Sequence, residues 1–124
     1  MGHEVSVVVV SYNTRELLTE CLESVRTESA SATVEVWVVD NASTDGTVEL
    51  VKARFPEVRL IRNPANVGFA AANNQALGRA DGELLLLLNS DAVLLPGSLR
   101  GLLSAFRERP DLGLCGPSLC TRVI

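Results

Sequence analysis

The sequence is poor in the residues that would tie it to several large functional classes. It holds one histidine, His3, and three cysteines, Cys21, Cys115 and Cys120, with no C-x-x-C pair. That spacing argues against a zinc cluster, and the odd count does not suit a disulfide framework. Buried or free thiols in a reducing compartment are expected, with His3 at a frayed terminus and not a ligand. Basic residues number 11 against 15 acidic ones, for a net charge of −4. No cationic stripe exists to release counterions, so nucleic acid is not the expected partner. No apolar run reaches the ~20 residues of a membrane-spanning helix, and the first ten residues lack a basic leader with a cleavage site. The chain reads as cytoplasmic, with membrane association left to a longer protein. Glycine-rich signatures are missing as well. No G-x-G-x-x-G follows the first apolar run, and neither G-x-x-x-x-G-K-[ST] nor G-x-S-x-G occurs. A dinucleotide-binding Rossmann domain, a P-loop enzyme and a nucleophile elbow are therefore disfavoured.

What is present is a single domain's worth of alternating structure. At 124 residues, with 47% hydrophobic and 21% charged residues, the chain has ordinary globular composition and room for one core. Val5 to Val10 predicts a first strand. Asn13 with Glu16 resembles a capping box, opening a helix whose stripe is Leu17, Leu18, Cys21, Leu22 and Val25. Val34 to Val39 predicts a second strand. Ser43 and Thr44 are placed to cap a helix with Val48, Val51 and Phe55 as its core face, ended by Pro56. Val58 to Ile61 predicts a third strand, Asn63-Pro64 a turn, and Gly68 to Leu77 an alanine-rich helix. Asp81-Gly82 turns into Leu84 to Leu88, five leucines that predict a strand buried on both faces. Pro96 suits a first helical turn ahead of Leu99, Leu102, Leu103 and Phe106. Pro110 ends that helix, and Leu112 to Cys115 predicts a fifth strand. Alternation of this kind implies an α/β fold, Rossmann-like, with a mostly parallel sheet and helices on both faces.

Polar residues collect where strands end, and strands of a parallel sheet share one carboxyl edge, where α/β folds bind ligands. The clusters are Ser11-Tyr12-Asn13, then Asp40-Asn41-Ala42-Ser43 with Asp45-Gly46, then Asn66 to Gly68 with Asn73 and Asn74, and finally Asn89-Ser90-Asp91. Each has a plain structural explanation. Asn13 reads as a helix cap, Asp45-Gly46 as a turn dipeptide, Asn73 and Asn74 as solvated helix surface, and Arg62 as a solvated charge. Asp40 and Asp91 resist that treatment, because both terminate apolar strands at the ligand-binding edge. A carboxylate such as Asp91 there is well placed to hold a divalent cation against a phosphate.

Taken together, Val7 to Asn13, Val38 to Thr47, Asn66 to Asn74 and Asn89-Ser90-Asp91 closely resemble glycosyltransferase family 2, and most nearly its rhamnosyltransferase-like branch. The resemblance spans almost the whole chain. It implies a GT-A fold, a nucleotide-diphosphate-sugar donor (UDP- or dTDP-linked), a divalent cation, Mg²⁺ or Mn²⁺, and inversion at the anomeric carbon. It further implies that Ser11, Tyr12 and Asn13 line the base and ribose pocket. Asp40 would accept hydrogen bonds from base or ribose, a job that suits an ionised carboxylate, with Asn41 also among the donor-binding residues. Asn66, Gly68, Asn73 and Asn74 would face the donor, with Gly68 permitting close backbone approach. Asp91 would hold the metal against the diphosphate. The family's usual metal motif is D-x-D. Here Asn89 stands at the first position, so metal affinity is expected to rest on Asp91, with Asn89 free to touch ribose or sugar.

An inverting transfer also needs a general base for the acceptor hydroxyl. In the family this is a carboxylate beyond the metal motif, so it is expected beyond Ile124. Residues 1–124 are thus expected to be the donor-binding part of a truncated domain, acting on a saccharide or lipid-linked acceptor in a longer protein. Apolar surface left by truncation favours a homo-oligomer. The competing readings are a non-catalytic nucleotide-sugar-binding module and a metal-dependent nucleotidyltransferase. The latter would carry a glycine-rich basic loop after the first strand, where Ser11-Tyr12-Asn13 stands. A phospho-receiver domain would place acidic residues at that same point.

Overall fold

Four consecutive β-branched residues, Val7 to Val10, lose little side-chain freedom in an extended backbone. They lie in an inner strand of a four-stranded parallel sheet. The computed structural model describes residues 2–109, 111 and 113. Its elements run β1 (Val5–Ser11), α1 (Arg15–Glu28), a 3₁₀ turn (Ser29–Ser31), β2 (Val34–Asp40), α2 (Thr47–Arg54), β3 (Arg59–Arg62), α3 (Phe69–Leu77), β4 (Leu84–Asn89) and α4 (Ser98–Glu108). The strand order is β3-β2-β1-β4, and every pairing is parallel. The predicted fifth strand, Leu112 to Cys115, lies outside the described residues, as do Cys115 and Cys120.

Strand register decides which helix meets which residue. Val5, Val7 and Val9 share a face with Val36 and Val38, and that face packs against Leu18, Cys21, Leu22 and Val25 of α1, Val51 and Phe55 at α2, and Leu99 and Leu103 of α4. The opposite face, with Val8, Trp37 and Val39, is covered by Ala72 and Ala76 of α3. Helices therefore lie on both faces. Cys21 is a free, buried thiol.

Several local expectations are corrected. The leucine run is not buried on both faces. β4 is an edge strand among the described residues, so Leu84, Leu86 and Leu88 reach the core while Leu85 and Leu87 stay half exposed beyond the reach of α3. Leu17 is exposed, because the 18-21-22-25 spacing already fills the inward stripe of α1. The third strand starts at Arg59, since the Val58 N–H is taken by the Phe55 carbonyl at 3.0 Å in the turn after α2. α4 begins after Pro96, not at it. Pro96-Gly97 forms a turn closed by Ser98 N–H to the Leu95 carbonyl at 3.0 Å, with Gly97 at φ +81° and ψ −5°, as a type II turn requires. His3 is not frayed: its carbonyl accepts the Glu83 N–H at 3.0 Å and its Nδ1 lies 2.8 Å from Asp81 Oδ1.

Candidate functional site at the carboxyl edge of the sheet

Strand ends bring two carboxylate-bearing segments to one edge. Ser11 pairs in register with Asp40, and Asp40 with Arg62; Asn89 lies beside Val10, one residue back. Asp40 is only 1% exposed. Its Oδ1 accepts the hydroxyls of Ser11 (3.1 Å) and Ser43 (2.6 Å), and its Oδ2 accepts the Ser43 N–H (2.9 Å). Three of the roughly four acceptor positions of a carboxylate are thus used internally. Ser11, also buried, has its hydroxyl turned to Asp40. Tyr12, by contrast, is about half exposed at this edge.

Asn13 does not cap α1. Its backbone is left-handed (φ +50°), a conformation asparagine tolerates, and this swings the side chain across to the β2–α2 loop. There its Oδ1 accepts the Thr44 N–H at 2.8 Å, while its own N–H donates to Ser43 Oγ at 2.9 Å. Thr14, the actual N-cap residue, makes no side-chain cap and donates instead to Ser90 Oγ at 3.1 Å. Asn13 and Thr14 therefore link the Asp40 loop to the Asn89–Asp91 segment.

Asp45 does more than turn the chain. It takes the capping role expected of Ser43 and Thr44: Oδ1 accepts the N–H and hydroxyl of Thr47, with Gly46 at φ +85° between them. Its Oδ2 accepts the Arg15 N–H at 3.0 Å, tying the start of α1 to that of α2. Burial pushes its carboxyl up, but the hydrogen bonds from Thr47 and the Arg15 backbone outweigh this and hold it below the usual value.

Asn41 is buried and knits the next loop to the sheet. Its Nδ2 donates to the Gly68 carbonyl (3.2 Å), and its Oδ1 accepts from Asn63 Nδ2 (3.0 Å) and the Val67 N–H (3.4 Å). Asn63 and Gln75 complete this network, and neither is marked out in the sequence except by the Asn63-Pro64 turn. Asn66 Oδ1 accepts the Gly68 N–H at 2.8 Å. Gly68 sits at φ +89° and ψ 170°, a region open essentially to glycine alone, and an added Cβ would meet nothing within 4 Å. Its opening faces outward, which suits a ligand's approach. Asn73 is buried, with Nδ2 donating to the Phe69 carbonyl of its own helix at 3.1 Å, whereas Asn74 is exposed. The network thus gathers Ser11, Asn13, Asp40, Asn41, Asn66 and Gly68, and leaves Asn73 turned inward.

The leucine strand delivers Asn89 to a turn in which Ala92 N–H donates to the Asn89 carbonyl at 3.0 Å, with Ser90 and Asp91 between. Asn89 and Asp91 are both exposed. Among the described residues, no side chain or backbone N–H hydrogen-bonds the Asp91 carboxylate. Beneath the turn, Cys21 Sγ lies 3.7 Å from the same Asn89 carbonyl. Burial, and then the Asp91 charge, push the Cys21 thiol up to about 12, so it stays protonated and inert.

A second group of metal-capable side chains, His3, Glu35 and Asp81, lies at the opposite, amino edge of the sheet. Its atoms have internal partners: Glu35 Oε2 accepts Ser6 Oγ (2.5 Å) and the Asp81 N–H (3.0 Å), Glu35 Oε1 lies 3.4 Å from Arg59, and Asp81 pairs with His3. This group braces the turn into β4 and is distinct from Asp91. The clefts between β4 and α4, one of about 320 Å³ lined by Leu84, Leu103 and Phe106, are also remote from the polar edge. No helix among the described residues is long and apolar enough to cross a membrane.

Known proteins share this chain's sequence pattern and fold. The chain is 34% identical over 122 residues to N-acetylglucosaminyl-diphospho-decaprenol L-rhamnosyltransferase of Mycobacterium tuberculosis, covering 90% of this chain and 39% of that protein. The structure of S. aureus TarS 1-349 in complex with UDP superposes with a TM-score of 0.73 at 29% identity, over 86% of this chain and 33% of that one. Mannosyltransferase PcManGT from Pyrobaculum calidifontis, in complex with GDP-Man and Mn²⁺, gives a TM-score of 0.69 at 31% identity, over 86% and 32%. The chain spans about a third of the length of the curated relatives it matches. Its fold is that of the GT-A glycosyltransferases. The family model described as Glycosyl transferase family 2 matches residues 6–120, and the chain belongs to that family.

Proposed function

We propose that this chain forms the donor- and metal-binding part of an inverting glycosyltransferase that moves a sugar from a nucleotide diphosphate, UDP- or dTDP-linked, to a saccharide or lipid-linked acceptor. The observation that carries this reading is the meeting of two segments at one sheet edge: the hydrogen-bonded Asp40–Asn41 loop and the exposed Asn89–Asp91 turn. The complexes of TarS with UDP and of PcManGT with GDP-Man and Mn²⁺ support a nucleotide-sugar donor.

Burial and hydrogen bonding support the following roles. Tyr12 and Asn13 border the base and ribose, with Ser11 acting through Asp40. Asp40 keeps one acceptor position for the nucleoside, and Asn41 shapes the Gly68 loop that faces the donor. Asn66 sets the turn before Gly68, Asn74 faces outward from α3, and Asn73 supports the helix from within. The donor set fits a hard divalent cation: Asp91 offers an exposed carboxylate with no competing protein donor among the described residues, and Asn89 a neutral amide oxygen. Mg²⁺ or Mn²⁺ held there supplies charge neutralisation as the diphosphate leaves. Asp40 is buried and Asp45 is held by Thr47 and Arg15, so neither is offered as general base. The general base is left to residues outside this chain.

Calorimetry of UDP with Mn²⁺ and with EDTA tests the reading. UDP binds more tightly with the metal, and Asp91→Ala removes the difference. Metal-independent binding, unchanged in that variant, refutes the assignment. A thermal-shift panel of UDP-, dTDP- and GDP-sugars then identifies the base.

A further inference from the structure

Asp91 sits on an exposed turn, yet that turn is gripped from one side by a single helix. Three residues of α1 or its N-cap reach it. Cys21 Sγ donates to the Asn89 carbonyl (3.7 Å), the same oxygen that closes the turn through Ala92 N–H (3.0 Å). Thr14 Oγ1 donates to Ser90 Oγ (3.1 Å). Ser24 Oγ donates to the Cys21 carbonyl (2.7 Å) and accepts the Leu94 N–H (2.9 Å). The grips fall on residues 89, 90 and 94 and so bracket Asp91 on both sides. α1 is itself fixed to the sheet by Leu18, Leu22 and Val25, all buried.

We propose that Cys21, with Thr14 and Ser24, is a positioning residue that pre-sets the Asn89–Ala92 turn, so that the Asp91 carboxylate meets the metal-bound diphosphate already ordered. This rests on the proposed role of Asp91. A lone carboxylate ligand on a free turn would have to be ordered at each binding event, at an entropic cost subtracted from affinity. Groups that orient metal ligands without touching the metal characteristically change affinity by about 10–100-fold when removed. Cys21 is buried and protonated, so its contribution is steric and through its S–H, not through thiolate chemistry.

The test uses the 124-residue chain and UDP, reading the ratio of its affinity with Mn²⁺ to that in EDTA. The double variant Cys21→Ala/Thr14→Val is expected to lose about tenfold of that ratio, with metal-free UDP affinity unchanged. Cys21→Ser alone, which keeps a donor of similar size, retains most of it. A double variant with the wild-type ratio overturns the inference, and so does equal loss of metal-free and metal-dependent binding, which marks general damage. If Asp91→Ala abolishes the metal effect while the double variant keeps it, only the positioning role falls. If the wild type shows no metal effect, the reading of Asp91 falls and takes this inference with it.

Discussion

Asn63 and Gln75 face each other as a reciprocal amide pair, Asn63 Nδ2 donating to Gln75 Oε1 at 2.8 Å and Gln75 Nε2 to Asn63 Oδ1 at 2.9 Å. The pair fastens the end of β3 to α3. Because Asn63 also donates to Asn41 and is buried, it carries the alignment of the loop leading to Gly68. Gln75→Leu removes one partner and leaves the Asn63 amide short of both a donor and an acceptor. The expected cost is about 1–3 kcal/mol, read as a lower urea midpoint at unchanged slope. A variant as stable as the wild type would show that water substitutes freely for Gln75.

Gly68 and Gly101 make a matched pair of glycines in opposite circumstances. Neither has an atom within 4 Å of an added Cβ, but only Gly68 has a positive φ. Gly68→Ala is therefore expected to cost about 1–3 kcal/mol through backbone strain alone. Gly101→Ala, inside α4, is expected to stabilise by about 0.4–1 kcal/mol. Urea denaturation of the two variants side by side checks both signs, and equal effects would deny the backbone argument.

Which features were legible in the sequence follows from how far their causes reach. The valine runs of β1 and β2 lie in inner strands, so local composition and final environment agree, and Asp40 and Asn41 could be placed at the edge from the strand before them. The leucine run misled because its burial depends on neighbours: five leucines look alike whether one face or two are covered. Asn63 and Gln75 were silent since their partnership depends on how α3 docks, and Cys21 looked like one more residue of an apolar stripe. Asn13 reads in the sequence as a cap because a capping pattern carries no record of φ. Asp45 reads in the sequence as a turn residue alone because its partners include Arg15, thirty positions away.

The two faces of β4 should respond differently to one kind of change. Leu86 packs on the core, whereas Leu85 and Leu87 are 53% and 50% exposed. Leu86→Ala is expected to destabilise by about 2 kcal/mol. Leu85→Thr and Leu87→Thr, which keep a good strand former, stay within ~0.5 kcal/mol of the wild type. Light scattering on the Thr variants reports whether the exposed pair drives self-association: lower apparent mass than the wild type says that it does. Large destabilisation in either Thr variant would mean that this face is covered in solution.

Asp45 supplies the acid limb of the stability profile at the α1–α2 junction. Burial alone would raise its carboxyl, but the hydrogen bonds from Thr47 and from the Arg15 backbone leave it below the ordinary 3.8. The sign follows from linkage: a carboxyl lowered on folding binds its proton more weakly in the folded state than in the unfolded one. Its contribution is therefore complete above 3.8 and is lost as pH falls through the lowered value. Asp45→Asn keeps one acceptor oxygen but has no charge to titrate. The variant should be less stable than the wild type at neutral pH, with the gap closing as the pH drops below 3.8. Urea midpoints across that range test this directly, and a gap that stays constant with pH would mean that the Asp45 charge contributes nothing to holding the two helix starts together.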